Sequence, residues 1–188
     1  MAENTPGITV LIPTYNRAKV LGETLEALTR VDRNGIDCSI VVIDNNSNDN
    51  TREIAAEYAA KLPLSYLKEV RPGKNCALNK ALRECELKDI VVFKDDDVTP
   101  TPNWLQEIVS SVRKWPDIAV FGGKVEVVWP DNKRPEWAVR DWMMGFGFSL
   151  IMLTAKRFTR RQITRSAQIF WVRKHVFQNA CQPALEQT

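Results

Sequence analysis

The sequence is poor in the residues from which many catalytic and metal sites are built. Its 188 residues include one histidine, His175, so a cluster of histidine ligands is excluded. The four cysteines contain no C-x-x-C pair, which removes the common zinc and redox motifs. We expect reduced thiols with structural roles at Cys38, Cys76, Cys85 and Cys181.

Long apolar segments are also missing. The longest apolar run, residues 146–153, is far shorter than the roughly 20 residues that span a bilayer. The first residues, MAENTPG, lack the basic and apolar regions of a signal peptide, so we expect a cytoplasmic protein. A net charge of +3 is too small to indicate a nucleic-acid partner, and none is expected. Neither a G-x-G-x-x-G motif nor a P-loop lysine motif is present to support a dinucleotide or ATP site.

Short apolar strands alternate with helical patterns along the first two thirds of the chain. Such alternation predicts an α/β fold with a mostly parallel sheet and helices on both faces. The first strand is expected to stop at Pro13, which lacks an amide donor. The predicted strands are residues 8–12, 38–43, 64–67, 91–93, 118–121, 124–128 and 169–172.

Polar side chains follow three of these strands at the point where each strand ends. Open α/β sheets bind ligands at this edge. The groups are Pro13, Thr14, Tyr15, Asn16 and Arg17 after the first strand, Asp44 with the Asn/Ser/Asp run that follows it after the second, and Asp95, Asp96 and Asp97 after the fourth.

The acidic triplet, Asp95 to Asp97, is the strongest local signal. Three adjacent carboxylates repel one another, and a divalent cation among them removes that cost. Oxygen ligands of this kind suit Mg²⁺ or Mn²⁺, which bind through one or two carboxylates together with substrate phosphates. The alternative is a solvated acidic loop without a bound ion.

Two further positions carry a functional and a structural interpretation side by side. Asp44 is placed to accept hydrogen bonds from a nucleotide base or ribose, or else caps its own turn. Lys74 and Arg71 flank Gly73 at the start of a predicted helix, where charge and amide groups suit a diphosphate. The alternative there is a solvated basic turn.

Four stretches together resemble the family 2 glycosyltransferases of the GT-A fold. They are ITVLIPTYNRAKVLGETLEAL, SIVVIDNNSNDNT, RPGKNCALNKAL and IVVFKDDDVTPTPNWL. The resemblance covers residues 6–130 in order and spacing. It implies transfer of a sugar from a nucleoside diphosphate sugar, with a UDP-sugar favoured, to an acceptor hydroxyl with inversion. The acceptor would be a carbohydrate or a lipid-linked molecule.

The resemblance also implies roles for individual residues. Pro13, Thr14, Tyr15 and Asn16 would border the base, and Asp44 would bind its imide edge. Lys74 and Asn79 would lie along the ribose and diphosphate. Asp95 would face the ribose, with Asp96 beside it, and Asp97, together with Asp95, would bind Mn²⁺ or Mg²⁺.

The last third of the chain gives weaker indications. We expect a single domain over residues 6–188, with a nucleotide-sugar half at 6–130 and an incomplete acceptor half at 131–188. Trp137 resembles the acceptor-flanking tryptophan of the family. The basic stretch 156–165 is a solvated face or, alternatively, contacts a phosphate, an acidic acceptor or the inner face of a membrane.

The family's C-terminal Glu-Asp pair, which carries its catalytic base, has no counterpart in the sequence. The chain is then truncated, or takes its base from elsewhere, with Asp141 as a weak candidate, or is not a competent transferase. The rival function is accordingly a nucleotide-sugar-binding remnant without turnover. A nucleotidyltransferase is a third alternative, although its glycine-rich basic loop near the first strand is missing.

Overall fold

The computed structural model describes residues 5–123 and 169–180. Strands and helices alternate along most of this part of the chain, as the sequence predicts. The elements are β1 (Ile8–Thr14), α1 (Ala18–Thr29), β2 (Cys38–Asp44), α2 (Thr51–Ala59), β3 (Leu64–Lys68), α3 (Lys74–Glu84), β4 (Ile90–Lys94), α4 (Trp104–Lys114), β5 (Val120–Gly122), β6 (Ile169–Arg173) and α5 (His175–Ala180).

The six described strands form one sheet in the order β3-β2-β1-β4-β6-β5. β1 lies between β2 and β4 and is parallel to both, and β2 is parallel to β3. β6 is antiparallel to β4 and to β5. The mostly parallel α/β sheet is confirmed, and its central strands are buried on both faces as such sheets require.

Alternate side chains of each central strand enter two separate apolar clusters. Ile8, Val10 and Ile12 of β1 pack with residues of α1, α2 and α4 on one face. Leu11 packs with α3 on the other face, where α5 also contributes. The two-residue period of a strand places successive side chains on opposite faces. The predicted helices on both faces are therefore confirmed.

Pro13 does not end β1, which corrects the predicted boundary. β1 continues to Thr14, and Pro13 is paired in register with Ile43 of β2. Pairing with β4 ends at Leu11. Beyond that point β1 has a neighbour on one side only, so the missing amide donor of proline breaks no ladder bond there.

Several predictions fall on residues that the structure does not describe. They are the strand at 124–128, the acceptor-side Trp137, the candidate base Asp141 and the basic stretch 156–165.

Within the described residues, Cys38, Cys76 and Cys85 are free thiols, and burial raises the pKa of Cys38 to about 11. No helix in residues 5–123 or 169–180 has the length and apolar character needed to cross a bilayer.

Candidate functional site

An open pocket lies at the carboxyl edge of the sheet, where β1, β2 and β4 end. Its volume is about 320 Å³. Most of the residues that line the pocket are polar or charged. The lining residues are Pro13, Thr14, Tyr15, Arg17, Asn45, Lys74, Asp95, Asp96 and Asp97.

Asp96 is the buried member of the acidic triplet. Its carboxylate accepts a hydrogen bond from the Thr14 hydroxyl at 2.8 Å and one from Arg17 at 2.8 Å. The hydroxyl of Thr24 donates to its main-chain oxygen at 2.7 Å. Burial raises the pKa of Asp96, and the contacts with Thr14 and Arg17 oppose that rise. Asp96 therefore joins β4 to β1 and α1.

Asp95 and Asp97 are the more exposed members of the triplet. Their side chains are 24% and 41% exposed, compared with 6% for Asp96. Asp95 forms an ion pair with Lys74, the first residue of α3. Asp97 accepts a hydrogen bond from Arg17 at 3.1 Å. The strand end thus presents two accessible carboxylates to the pocket and keeps the third inside.

The donor set at this edge fits a hard divalent cation. Within the described part of the chain, no group of three or more histidine, cysteine, aspartate or glutamate residues is arranged to hold a metal ion. Mg²⁺ does not need three protein ligands, because it uses one or two carboxylates and completes its shell with waters and substrate phosphates. Asp97 and Asp95 carry the accessible carboxylates that could hold such an ion.

Lys94 is a buried cation directly beneath the triplet. The residue is 1% exposed, and its ammonium group donates to the main-chain oxygen of Asp95 at 3.0 Å. Burial lowers the pKa of Lys94 to about 7, although the three neighbouring carboxylates oppose the shift. The sequence placed this residue directly after the predicted strand 91–93 but gave no sign that its charge would be enclosed.

Asp44 lies at the end of β2 with its carboxylate engaged within the protein. One carboxylate oxygen accepts the main-chain N–H of Ser47 at 2.8 Å, and the other accepts the hydroxyl of Tyr66. The residue is 2% exposed. Burial and the hydrogen bond to Asp44 raise the pKa of Tyr66. The hydrogen bond from the Ser47 N–H is the turn-capping contact that the structural interpretation of Asp44 predicts.

Asn16 fastens the loop after β1 to the loop after β2. Its backbone is left-handed, with φ of 51°, a conformation that asparagine tolerates better than most residues. Its N–H donates to the Ser47 hydroxyl at 2.9 Å, and its side-chain oxygen accepts the N–H of Asn48 at 2.7 Å. Asn16 therefore shapes the pocket rim through the loops and is not itself part of the lining.

Asn45 organises the turn that carries Lys74. Its amide nitrogen donates to the main-chain oxygens of Glu69 and Arg71 at 3.3 and 2.7 Å. Its amide oxygen accepts the N–H of Gly73 at 2.7 Å. Gly73 has φ of 116°, a conformation in which a side chain would be strained. One buried amide thus ties β2 to the start of α3.

The structure brings together most of the residues that the sequence selected. Pro13, Thr14, Tyr15, Lys74, Asp95, Asp96 and Asp97 all line the pocket. Asp44, Asn16 and Asn79 are not among the lining residues, and Asn79 lies exposed on α3. Their predicted ligand contacts remain predictions.

Arg17 and Asn45 line the pocket as well. The sequence places both in the polar stretches that follow the first two strands, but it assigned neither of them a role in binding. Nothing in the local sequence distinguishes Asn45 from the other asparagines of its loop.

Comparison with known proteins assigns the chain to a family. The family model described as Glycosyl transferase family 2 matches residues 9–177. A dolichol-phosphate mannosyltransferase of Pyrococcus furiosus is 32% identical over 131 residues, which cover 65% of this chain and 36% of the relative. A chondroitin synthase of Escherichia coli is 31% identical over 62% of this chain and 17% of its own length. The chain thus spans less than half the length of either relative.

Solved structures of glycosyltransferases share the fold. The mannosyltransferase PcManGT of Pyrobaculum calidifontis, determined with GDP-Man and Mn²⁺, is 31% identical with a TM-score of 0.52 and covers 61% of this chain and 34% of that protein. Residues 1–349 of TarS from S. aureus, determined with UDP-GlcNAc, match 93% of this chain and 47% of that protein with a TM-score of 0.70 at 24% identity. The chain belongs to glycosyl transferase family 2, and its sheet has the GT-A fold of that family.

Proposed function

We propose that the chain binds a nucleoside diphosphate sugar in this pocket and transfers the sugar to an acceptor hydroxyl with inversion. The observation that carries the proposal is the convergence of the acidic triplet, Arg17 and Lys74 on one open pocket at the ligand-binding edge of the sheet. Two accessible carboxylates beside two cations suit a metal-bound diphosphate. These charged groups do not suit an apolar ligand. They do not suit a simple anion either, because the carboxylates would repel it.

The two sides of the pocket suit different parts of the donor. Tyr15 is 55% exposed and lines the pocket, so its ring offers a surface on which a nucleotide base can stack. We place the base beside Tyr15 and Pro13, with Asp44 as its proposed imide partner. To bind the base, Asp44 would have to give up its hydrogen bond from the Tyr66 hydroxyl or from the Ser47 N–H.

The diphosphate belongs at the other side, near Asp95, Asp97 and Lys74. When bound there, Mn²⁺ or Mg²⁺ supplies positive charge that offsets the charge developing on the leaving nucleoside diphosphate. Lys74 adds a second positive group at the start of α3, a helix end that itself favours anions. Asp95 would accept from the ribose, with Asn79 as a further proposed donor-side contact.

The acceptor side is proposed from the sequence resemblance. We assign the nucleotide-sugar half to residues 6–130 and the acceptor half to residues 131–188, with Trp137 beside the acceptor. Asp141 is a weak candidate for the base that removes the hydroxyl proton. A carbohydrate or lipid-linked acceptor, a role in polysaccharide synthesis, and a cytoplasmic location with or without membrane contact through 156–165 belong to the same proposal.

The test is nucleotide release from a panel of UDP-, GDP- and dTDP-sugars in the presence of Mn²⁺, with binding of each nucleotide measured by calorimetry. We expect a UDP-sugar to give the strongest response, and chelation of the metal with EDTA to abolish it. A preference for GDP-mannose would correct the assignment of the base. Metal-dependent binding without release or transfer would support the non-catalytic alternative, and no nucleotide binding at all would refute the proposal.

A further inference from the structure

Arg17 makes a forked contact with two members of the acidic triplet. One terminal nitrogen lies 2.8 Å from a carboxylate oxygen of Asp96, and the other lies 3.1 Å from a carboxylate oxygen of Asp97. The residue directly precedes α1, in the loop that follows β1. A planar guanidinium can bridge two acceptors in this manner, whereas an ammonium group is a single point charge.

The two halves of this fork differ in their surroundings. The Asp96 side chain is 6% exposed, and Thr14 also donates to it. The Asp97 side chain is 41% exposed and faces the pocket. Ion pairs in contact with water are weak and easily exchanged, whereas a buried hydrogen-bonded pair is costly to break. The contact with Asp97 is therefore the one that can open while the contact with Asp96 persists.

Asp97 is also the proposed metal ligand, so Arg17 and the metal compete for one carboxylate. The guanidinium has no acceptor and cannot coordinate the ion. Its positive charge, 3.1 Å from one oxygen of that carboxylate, also opposes the arrival of a second cation. Without a metal, however, Arg17 relieves the repulsion among the crowded carboxylates.

We propose that Arg17 is an internal counter-ion of the donor site. In the metal-free protein it holds Asp96 and Asp97 together. When the metal binds, it gives up Asp97 and remains on Asp96. Arg17 is thus a positioning residue that lowers the affinity of the site for free metal ions, so that the ion binds with the nucleotide and not before it. This inference rests on the proposed function, because it takes Asp97 as a metal ligand.

The test is the affinity for Mn²⁺ in the absence of nucleotide, measured from the electron paramagnetic resonance signal of free Mn²⁺. Arg17→Met should bind Mn²⁺ roughly fivefold or more tightly than the natural protein, the lower end of typical couplings between two sites. Misfolding cannot produce such a gain. Arg30→Met is the matched control, because Arg30 is an exposed arginine paired with Glu26 away from the pocket, and it should change nothing.

Two further variants keep the proposal testable if Arg17→Met folds poorly. Arg17→Lys retains one charge, which can satisfy Asp96 but not both carboxylates, so it should also bind Mn²⁺ more tightly, by a smaller factor. In an Asp97→Asn background, Arg17→Lys should give no gain. Unchanged or weaker Mn²⁺ binding by both Arg17 variants would overturn the counter-ion role. Failure of the proposed function would appear separately, as absent binding of UDP with Mn²⁺ by the natural protein.

Discussion

Asp44 and Asp97 lie on opposite sides of β1 at the same edge of the sheet, yet they are held in different ways. Both carboxylate oxygens of Asp44 are engaged by protein donors, and the residue is 2% exposed. Asp97 is held by one exposed arginine and faces the pocket. The side of the site proposed for the base is therefore fixed by hydrogen bonds within the protein, whereas the side proposed for the diphosphate is held by ion pairs that a ligand can replace.

This comparison predicts different consequences of mutation on the two sides. A change on the phosphate side should reduce ligand binding and activity while leaving the fold intact. A change on the base side should reduce the free energy of unfolding as well.

The largest effect is expected for Asp97→Asn, which keeps the size of the side chain and removes its charge. Transfer should fall at least about 100-fold, since one group aimed at the charge of a transition state contributes about 2.7–4 kcal/mol in comparable sites. Nucleoside diphosphate binding with Mn²⁺ should weaken as well, with the thermal unfolding temperature unchanged. Asp117→Asn, at an exposed position after α4, is the control. Full activity of Asp97→Asn would remove the metal role of this residue.

Asp44→Ala should lower the free energy of unfolding and UDP affinity together. Its removal leaves the Ser47 N–H and the Tyr66 hydroxyl without their acceptor, at a cost of up to about 3 kcal/mol. Chemical denaturation and calorimetry on the folded protein measure the two effects. Asp32→Ala removes a comparable turn contact, to the N–H of Asn34, and should leave UDP affinity unchanged. If Asp44→Ala behaves like this control, Asp44 is a turn cap only.

Asn45→Ala should lower the free energy of unfolding by about 2 kcal/mol, because main-chain groups at Glu69, Arg71 and Gly73 lose their hydrogen-bond partner. It should also weaken nucleotide binding moderately, since the turn before Lys74 loses its tie to β2. Urea denaturation measures the first effect. Asn34→Ala, at an exposed turn, serves for comparison. Nucleotide affinity equal to that of the natural protein would show that the turn needs no such tie.

The smallest effect concerns pH and the pair Glu69–Arg71. Hydrogen bonds from Arg71 lower the pKa of Glu69 to about 2. Because the folded pKa lies below the unfolded value of roughly 4.3, the pair stabilises the fold above that value, and this contribution is lost as the pH falls towards 2. As the pH is lowered through this range, the unfolding temperature of Glu69→Gln should decrease less than that of the natural protein. An identical pH profile would assign the acid sensitivity to other carboxylates.

The fold could be predicted from the sequence because its signals are local and repeated. The nearly continuous apolar runs at 8–12 and 38–43 indicate burial on both faces without knowledge of the neighbours. The acidic triplet was visible for the same reason, as a run at a strand end. The predicted end of β1 at Pro13 was wrong, because the sequence does not show that the pairing of β1 with β4 has already ended at that point.

The remaining features depend on contacts between distant residues. Arg17 meets Asp96 and Asp97 across 79 and 80 positions of the chain, and Asn45 reaches Arg71 and Gly73 across 26 and 28. Lysine is usually found at the surface, whereas Lys94 is buried by the packing around β4. No local pattern encodes these partners, so only the assembled sheet reveals them.

The pairing of β5 with β6 has a consequence for how the chain can vary. Gly122 and Phe170 are direct partners in the sheet, so the segment that joins these strands leaves and rejoins the sheet at neighbouring points. The entropy of closing such a segment changes slowly with its length, by about 0.6 kcal/mol for each doubling. Its length and sequence can therefore diverge at little cost to the strands that carry the acidic triplet.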